Sequence, residues 1–125
     1  MDIRLKETDF ELNGKTYKLR CNMNVLADVQ EAFGGYIGKS LEERNIVRSV
    51  MEFLAAMMND YLDEQGDPER FTAKELGRII KPGRMNEIRG IVMPLVLDAI
   101  SSDSDEPQQE IQDEVEYAEE AAKNG

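Results

Sequence analysis

Residues 8–20 read TDFELNGKTYKLR, and this stretch predicts the element on which the rest of the fold is built. Asn13-Gly14 is the pair that favours a type I′ turn, because both residues tolerate a positive φ. A two-residue loop places Phe10 opposite Tyr17 and gathers the apolar side chains of both strands on one face. Since an isolated hairpin is marginally stable in water, that face must pack on helices or on another subunit.

The opposite face of the hairpin supports the same register. It sets Asp9 across from Lys18 and Glu7 across from Arg20. Opposite charges that face each other across two strands stabilise the pairing, whereas a slip of one residue would move the apolar face into solvent. The sequence therefore predicts both the hairpin and its register.

The first predicted helix lies between asparagine and glycine signals. Asn22 or Asn24 can serve as its N-cap, because a short amide side chain accepts a hydrogen bond from the first turn. Gly34 and Gly35 end the helix, since glycine readily adopts the left-handed conformation that follows a helix. The glycines at 34–38 do not predict a phosphate-binding loop, because Gly38-Lys39-Ser40 does not stand at the required spacing after a strand and an acidic turn, Glu42-Glu43, follows it.

The second predicted helix is the longest and the most apolar. Ser40 and Glu43 form a capping box at its start, and the polar residues 63–68 end it. Its centre, FLAAMM at residues 53–58, carries no charge. A helix that is apolar on more than one side is either the central helix of a core or part of an interface.

Two further helices complete the predicted domain. Thr72 and Glu75 form a second capping box, and another helix covers about residues 84–100. Pro94 lies inside that last helix and cannot donate to the Gly90 carbonyl, so we expect a kink or a break there. The predicted fold is α+β and mainly helical: an N-terminal antiparallel β-hairpin packed on about four helices, followed by a flexible acidic C-terminal tail.

The charge of the chain separates the domain from the tail. Residues 1–100 hold 17 acidic and 14 basic side chains, whereas residues 101–125 hold nine acidic side chains and one basic side chain. The boundary run SSDSDEP, residues 101–107, is polar and typical of turns. We therefore predict a hairpin-plus-helices domain over 1–100 and an acidic tail over 101–125.

Two interpretations of the tail stay open. It can be a disordered segment that keeps the protein soluble. Alternatively it becomes helical on a partner, because Ile111, Val115, Ala118 and Ala122 recur at spacings of four, three and four. Such a partner would have to be basic or have an exposed groove.

The composition excludes several kinds of active site. The chain has no His, so it cannot form a Ser-His-Asp or Cys-His constellation. Cys21 is the only cysteine, which argues against a structural zinc site and suits a reducing compartment. The adjacent carboxylates at 42–43 and 63–64 lie on exposed turns rather than across a cleft, and the acidic residues after Asp60 lack the spacing of an EF-hand. We therefore predict a protein that is not an enzyme and that holds no metal or cofactor.

Charge and hydropathy also limit the partners. A net charge of −11 disfavours non-specific binding to nucleic acid, which depends on Lys and Arg contacts to phosphate. No apolar stretch is long enough to cross a membrane, and residues 1–6 lack the apolar region of a signal peptide. We expect a cytoplasmic protein that binds neither nucleic acid nor membrane.

Methionine and aromatic side chains of the second helix are candidates for binding a protein partner. Methionine re-packs around varied apolar ligands, although it also fills gaps in ordinary cores, and the sequence leaves both interpretations open. Self-association is expected as well, because a second apolar side must be buried on something. The candidate partner-binding residues are Met51, Phe53, Leu54, Met57, Met58 and Tyr61, with Ile111 and Val115 in the tail.

The beginning of the chain resembles a known family. Residues 10–34, FELNGKTYKLRCNMNVLADVQEAFG, are similar to the start of the small tail assembly chaperones of long-tailed phages and prophages. The resemblance lies in the NGK turn at 13–15, the strand YKLR at 17–20 and the helix start NMNVLAD at 22–28. The layout of the remaining helices is similar up to about residue 100.

This resemblance implies a function. Chaperones of that family bind the long, aggregation-prone tape measure protein before the tail tube polymerises around it, and they help to recruit tail tube subunits. They act in the cytoplasm of the bacterial host and are not expected in the mature virion. The alternatives are another structural or interaction protein of a phage, such as a tail or neck component, and, less well supported, an acidic inhibitor or DNA mimic. The last of these needs carboxylates spread over a folded surface, whereas here they are concentrated in the tail.

Overall fold

A computed structural model describes residues 6–35 and 46–101 of the chain. These residues form an α+β fold that is mainly helical, in which an N-terminal antiparallel hairpin packs on helices, as predicted. The elements are β1 (Thr8–Leu12), β2 (Lys15–Leu19), α1 (Met23–Ala32), α2 (Ile46–Glu64), α3 (Ala73–Ile79), a 3-10 turn (Pro82–Arg84) and α4 (Met85–Ile100).

The hairpin has the predicted register. Phe10 pairs with Tyr17 and Asp9 pairs with Lys18. Asn13 has a φ of 52°, and Gly14 likewise has a positive φ, as a type I′ turn requires. The apolar face formed by the two strands is buried against the helices, so the local turn chemistry and the tertiary packing favour the same arrangement.

The Glu7 side chain links both strands on the opposite face of the hairpin. Its carboxylate lies 3.9 Å from Lys18 Nζ and 3.9 Å from Arg20 Nε. These groups are accessible to water, so they contribute little to the free energy of unfolding. They favour the register more than they stabilise the domain.

Asn22 begins α1 and also ties it to α2. Its Oδ1 accepts a hydrogen bond from the Val25 N–H at 3.0 Å, so Asn22 is the N-cap. Its Nδ2 donates to Asp60 Oδ2 at 2.7 Å. At the other end of α1, Gly35 donates its N–H to the Gln30 carbonyl at 2.7 Å and closes the helix as predicted.

Helix α2 is the centre of the domain. It packs against β2, α1, α3 and α4. Its inward side chains Phe53, Leu54 and Leu62 are completely buried. The capping box predicted at Ser40 and Glu43 lies outside the described residues.

Helix α3 begins as predicted. Thr72 is its N-cap, and the Thr72 hydroxyl accepts a hydrogen bond from the Glu75 N–H at 3.0 Å. Leu76 is the completely buried residue of this short helix and fixes it on α2.

A kink or a break was expected at Pro94, but helix α4 continues through this residue without a break. Gly90 and Pro94 are both exposed, so water can hydrate the carbonyl that Pro94 leaves without a donor. On the opposite side, Val92 and Leu95 are buried and hold the helix against the core. The helix ends at Ile100.

The predictions for the acidic tail, including the stripe that contains Ile111 and Val115, lie outside the described residues. Among the helices that the structure describes, none is both long and apolar enough to cross a membrane.

Candidate protein-interaction surface

The methionine-rich side of α2 is core. The five candidate residues on this part of the helix have exposed fractions of 8% or less: Met51, Phe53, Leu54, Met57 and Met58. They are covered because the hairpin and three other helices surround α2. The structure therefore supports the core interpretation and corrects the other one: in this conformation a partner cannot reach these side chains.

Tyr61, the remaining candidate on α2, belongs to an aromatic cluster between the hairpin and α3. Its ring lies edge-on to the Tyr17 ring, with 6.1 Å between centroids. The Phe71 ring meets Tyr17 in the same manner at 6.0 Å. Edge-to-face pairs of this kind add to the stability gained from burial. Tyr61 is therefore explained by packing, while the tail candidates Ile111 and Val115 are not described.

Ion pairs border this aromatic cluster. Lys15 Nζ lies 3.1 Å from Asp67 Oδ2 and 5.3 Å from the centroid of the Tyr17 ring. The pKa of Asp67 is lowered, first by a hydrogen bond from the Glu69 N–H and then by Lys15. These contacts close the loop between α2 and α3 against the hairpin, and they are structural in character.

Cys21 has the properties of a buried structural thiol. It is 2% exposed, and burial raises its pKa to about 11. The group is therefore a protonated thiol at neutral pH, which is a weak nucleophile. Within the described residues, no cluster of three or more potential metal ligands is present.

Within residues 6–35 and 46–101, four large apolar side chains are exposed: Met23, Val47, Ile79 and Leu97. Val47 is 57% exposed on the first turn of α2, although its neighbour Ile46 packs against the core and Val50 is completely buried. Single exposed apolar residues are normal on protein surfaces. Leu97 differs, because Met93 and Pro94, one turn before it on the same helix, are uncharged as well and are not fully buried.

The outward side of α4 is an uncharged stripe. Residues 90–97 read GIVMPLVL, which is a longer run without charge than FLAAMM in α2. Gly90, Pro94 and Leu97 are exposed and Met93 is half-buried. The helical period brings these residues onto one side, opposite the buried Val92 and Leu95. We call Gly90, Met93, Pro94 and Leu97 the α4 stripe.

Charged groups lie at the edges of the α4 stripe. Arg84 Nη2 is 2.8 Å from Glu87 Oε2, and Lys6 Nζ is 3.7 Å from Asp98 Oδ1. The Arg84 guanidinium lowers the pKa of Glu87, which favours the ion pair. An apolar centre with a charged rim is the usual anatomy of a protein interface.

Sequence reasoning missed the α4 stripe, although a signal for it was present. The uncharged run at 90–97 was visible, but an uncharged run does not indicate which of its sides other elements cover. Helix α2 is enclosed by its neighbours, whereas α4 packs mainly on α2 and the 3-10 turn and leaves one side open.

No family model matches this chain, and comparisons with curated proteins and with solved structures give no significant match. The similarity of residues 10–34 to tail assembly chaperones therefore stays a prediction from the sequence.

Proposed function

We propose that this protein is a non-enzymatic phage tail assembly chaperone, and that its α4 stripe holds an apolar segment of the tape measure protein. The observation that carries the proposal is the exposed, uncharged side of α4 with charges confined to its rim. The family resemblance of residues 10–34 supplies the class of partner.

The chemistry of the stripe suits an apolar helical segment. An amphipathic helix binds a groove or a helix face through side chains spaced three and four residues apart. Gly90 has open space where a Cβ would be, so the backbone of a partner can approach closely. Met93 offers an adaptable side chain, which suits a partner whose sequence varies along its length.

The size of the stripe indicates transient binding. Four residues on one helix offer a small contact, and weak encounters bury less than about 1,200 Å2 in total. A chaperone has to release its partner when the tail tube forms, so weak binding is compatible with the role. Recruitment of tail tube subunits and self-association are part of the same proposal, and both must use exposed surface rather than the buried α2 methionines.

Co-expression with the product of the tape measure gene from the same phage or prophage genome tests the proposal. The wild-type chain should keep that product soluble, and Leu97→Lys should lower the soluble fraction several-fold. Lys is compatible with the last turns of a helix, where it faces the negative end of the dipole. Val47→Lys is the matched control, because Val47 is an equally exposed apolar residue on another helix. Equal effects of both substitutions, or none from Leu97→Lys, would remove the α4 stripe from the proposal.

Purified phage particles distinguish the proposal from its closest rival. A tail or neck component stays in the particle, whereas an assembly chaperone is released. Mass spectrometry of particles should therefore show tail tube peptides and no peptide of this chain. Stoichiometric amounts of this chain in the particle would favour the structural component instead.

A further inference from the structure

The positive charge of this acidic protein is concentrated around α3. Residues 70–89 contain six of the fifteen Lys and Arg side chains and two of the twenty-six Asp and Glu side chains. Arg70 and Arg84 form ion pairs with nearby carboxylates. Within the described part of the chain, no such pair joins Lys74, Arg78 or Lys81 to an acidic side chain.

These three cations are exposed and lie within eight residues of the chain. Lys74 and Arg78 are one helical turn apart, on the side of α3 opposite the buried Leu76. Like charges at this spacing repel each other, so an anion that neutralises them is favoured. Ile79 is 48% exposed within the same segment and adds an apolar contact. We call Lys74, Arg78 and Lys81 the basic surface.

We propose that the basic surface binds the acidic segment 103–120 of the same chain. This segment carries nine acidic side chains and no basic one. Its charge is complementary to the basic surface, and Ile111 and Val115 within it match the apolar contact that Ile79 offers. The contact thus gives a role to the basic surface and to the acidic segment, neither of which takes part in the proposed function.

The chain is long enough to make this contact. Ser101 follows the last residue of α4, and Lys81, at one end of the basic surface, immediately precedes the 3-10 turn that leads into that helix. Helix α4 has 16 residues, which correspond to about 24 Å at 1.5 Å per residue. Eight extended residues span at most about 29 Å, so residues from about 109 onward can reach the basic surface.

The contact is reversible and depends on salt. Exposed charges interact weakly in water, and the Debye length falls from about 10 Å at 0.1 M salt to about 3 Å at 1 M. The segment therefore covers the basic surface at low ionic strength and leaves it at high ionic strength. A more acidic partner would displace it.

Paramagnetic relaxation in the full chain tests the contact. A nitroxide is attached at Gln112→Cys, while Cys21 stays unlabelled because it is buried; wild-type chain under the same conditions verifies this. At 20 mM NaCl the backbone amides of residues 74–81 should lose more than half of their intensity relative to the reduced sample, and 1 M NaCl should restore it. Dilution with excess unlabelled wild-type chain separates contacts within one chain from contacts between copies.

Charge reversal shows whether the basic surface causes the effect. The variant Lys74→Glu, Arg78→Glu, Lys81→Glu should abolish the intensity loss. Replacement of all three residues by Gln is milder and should reduce the loss, and it serves as the test in case charge reversal disturbs the fold. The control Lys6→Glu, Lys18→Glu, Arg48→Glu changes the net charge equally on other exposed surfaces and should retain the loss.

Three outcomes would overturn the proposal. These are full intensity at residues 74–81 in the wild type, intensity loss that survives charge reversal, and loss that disappears on dilution because it comes from another copy. Binding of a 20-base-pair DNA duplex to the basic surface, with no tail contact, would assign the surface to an external polyanion instead. The tape measure protein is absent from this experiment, so its result is independent of the proposed function.

Discussion

The side chain of Asn59 holds the backbone of Phe71 by two hydrogen bonds. Nδ2 of Asn59 donates to the Phe71 carbonyl at 2.8 Å, and Oδ1 of Asn59 accepts from the Phe71 N–H at 2.8 Å. The two residues are twelve positions apart, so this pair closes the loop between α2 and α3. Because the Phe71 ring packs on Tyr17, the same contact also sets the position of α3 relative to the hairpin.

Removing the Asn59 amide should destabilise the domain. Asn59→Ala leaves a partly buried N–H and C=O without partners, which should lower the free energy of unfolding by about 1–3 kcal/mol. Urea unfolding measures the loss. Asn86→Ala is the control, because Asn86 is exposed and accepts one long bond from Arg89. Equal midpoints for Asn59→Ala and Asn86→Ala would show that the paired bonds contribute little.

Gly14→Val should damage the hairpin. A β-branched residue resists the positive φ at this position, and the expected loss is about 1–3 kcal/mol of unfolding free energy. The control is Gly77→Ala in α3, where φ is ordinary and the space is open. That change should stabilise the domain by about 0.4–1 kcal/mol. An unchanged denaturation midpoint for Gly14→Val would contradict the type I′ turn.

Truncating Phe53 should cost far more than truncating Val47. Phe53 is completely buried, so Phe53→Ala should lower the unfolding free energy by about 3–5 kcal/mol. Val47→Ala removes an exposed side chain and should lie within about 0.5 kcal/mol of the wild type. Thermal unfolding followed by circular dichroism compares the two. A mild effect of Phe53→Ala would contradict the core interpretation and would make this part of α2 a candidate for partner binding again.

Asp67 should make stability depend on pH in the acid range. Its folded-state pKa is lowered, so its contribution is fully present above the ordinary carboxyl pKa of about 3.9 and is lost as the pH falls through the lowered value. Asp67→Asn should therefore be less stable than the wild type at pH 7. The difference between the two proteins should shrink steadily as the pH falls below the ordinary carboxyl pKa, as urea midpoints at pH 7 and at successively lower pH values will show. A difference that stays constant across the acid range would mean that the charge of Asp67 is not the cause.

Deleting residues 102–125 should leave the melting temperature nearly unchanged. The described core is complete at Ile100, and contacts between exposed charges contribute little to stability. Calorimetry at physiological salt measures the difference. A fall of several degrees would show that the acidic segment packs into the domain rather than lying on its surface.

Local signals were predictable from the sequence because they depend on neighbours in the chain. The type I′ turn at Asn13-Gly14 and the caps at Asn22 and Thr72 each need a particular side chain within three residues. The ends of α1 and α4 were likewise marked by glycine and by the polar run after Ile100.

Burial was harder to predict because it depends on which elements cover a helix. FLAAMM and GIVMPLVL are both uncharged, yet α2 is enclosed and α4 is open on one side. Val47 has the helical spacing of the residues that face the core, yet its side chain is exposed. The bonds of Asn59 to Phe71 had no sequence signal, since an asparagine within a helix gives no indication of a partner twelve residues away.

The central position of α2 has a consequence for how this domain can change. Among the described elements outside the hairpin, α1, α3 and α4 pack mainly on α2 rather than on one another. Substitutions on the outer sides of two such helices should therefore act independently. Each outer helix can acquire a new binding specificity in turn, while α2 alone has to keep its sequence compatible with all of them. Among descendants of such a domain, sequence changes would accumulate on the outer helices, while α2 would change least.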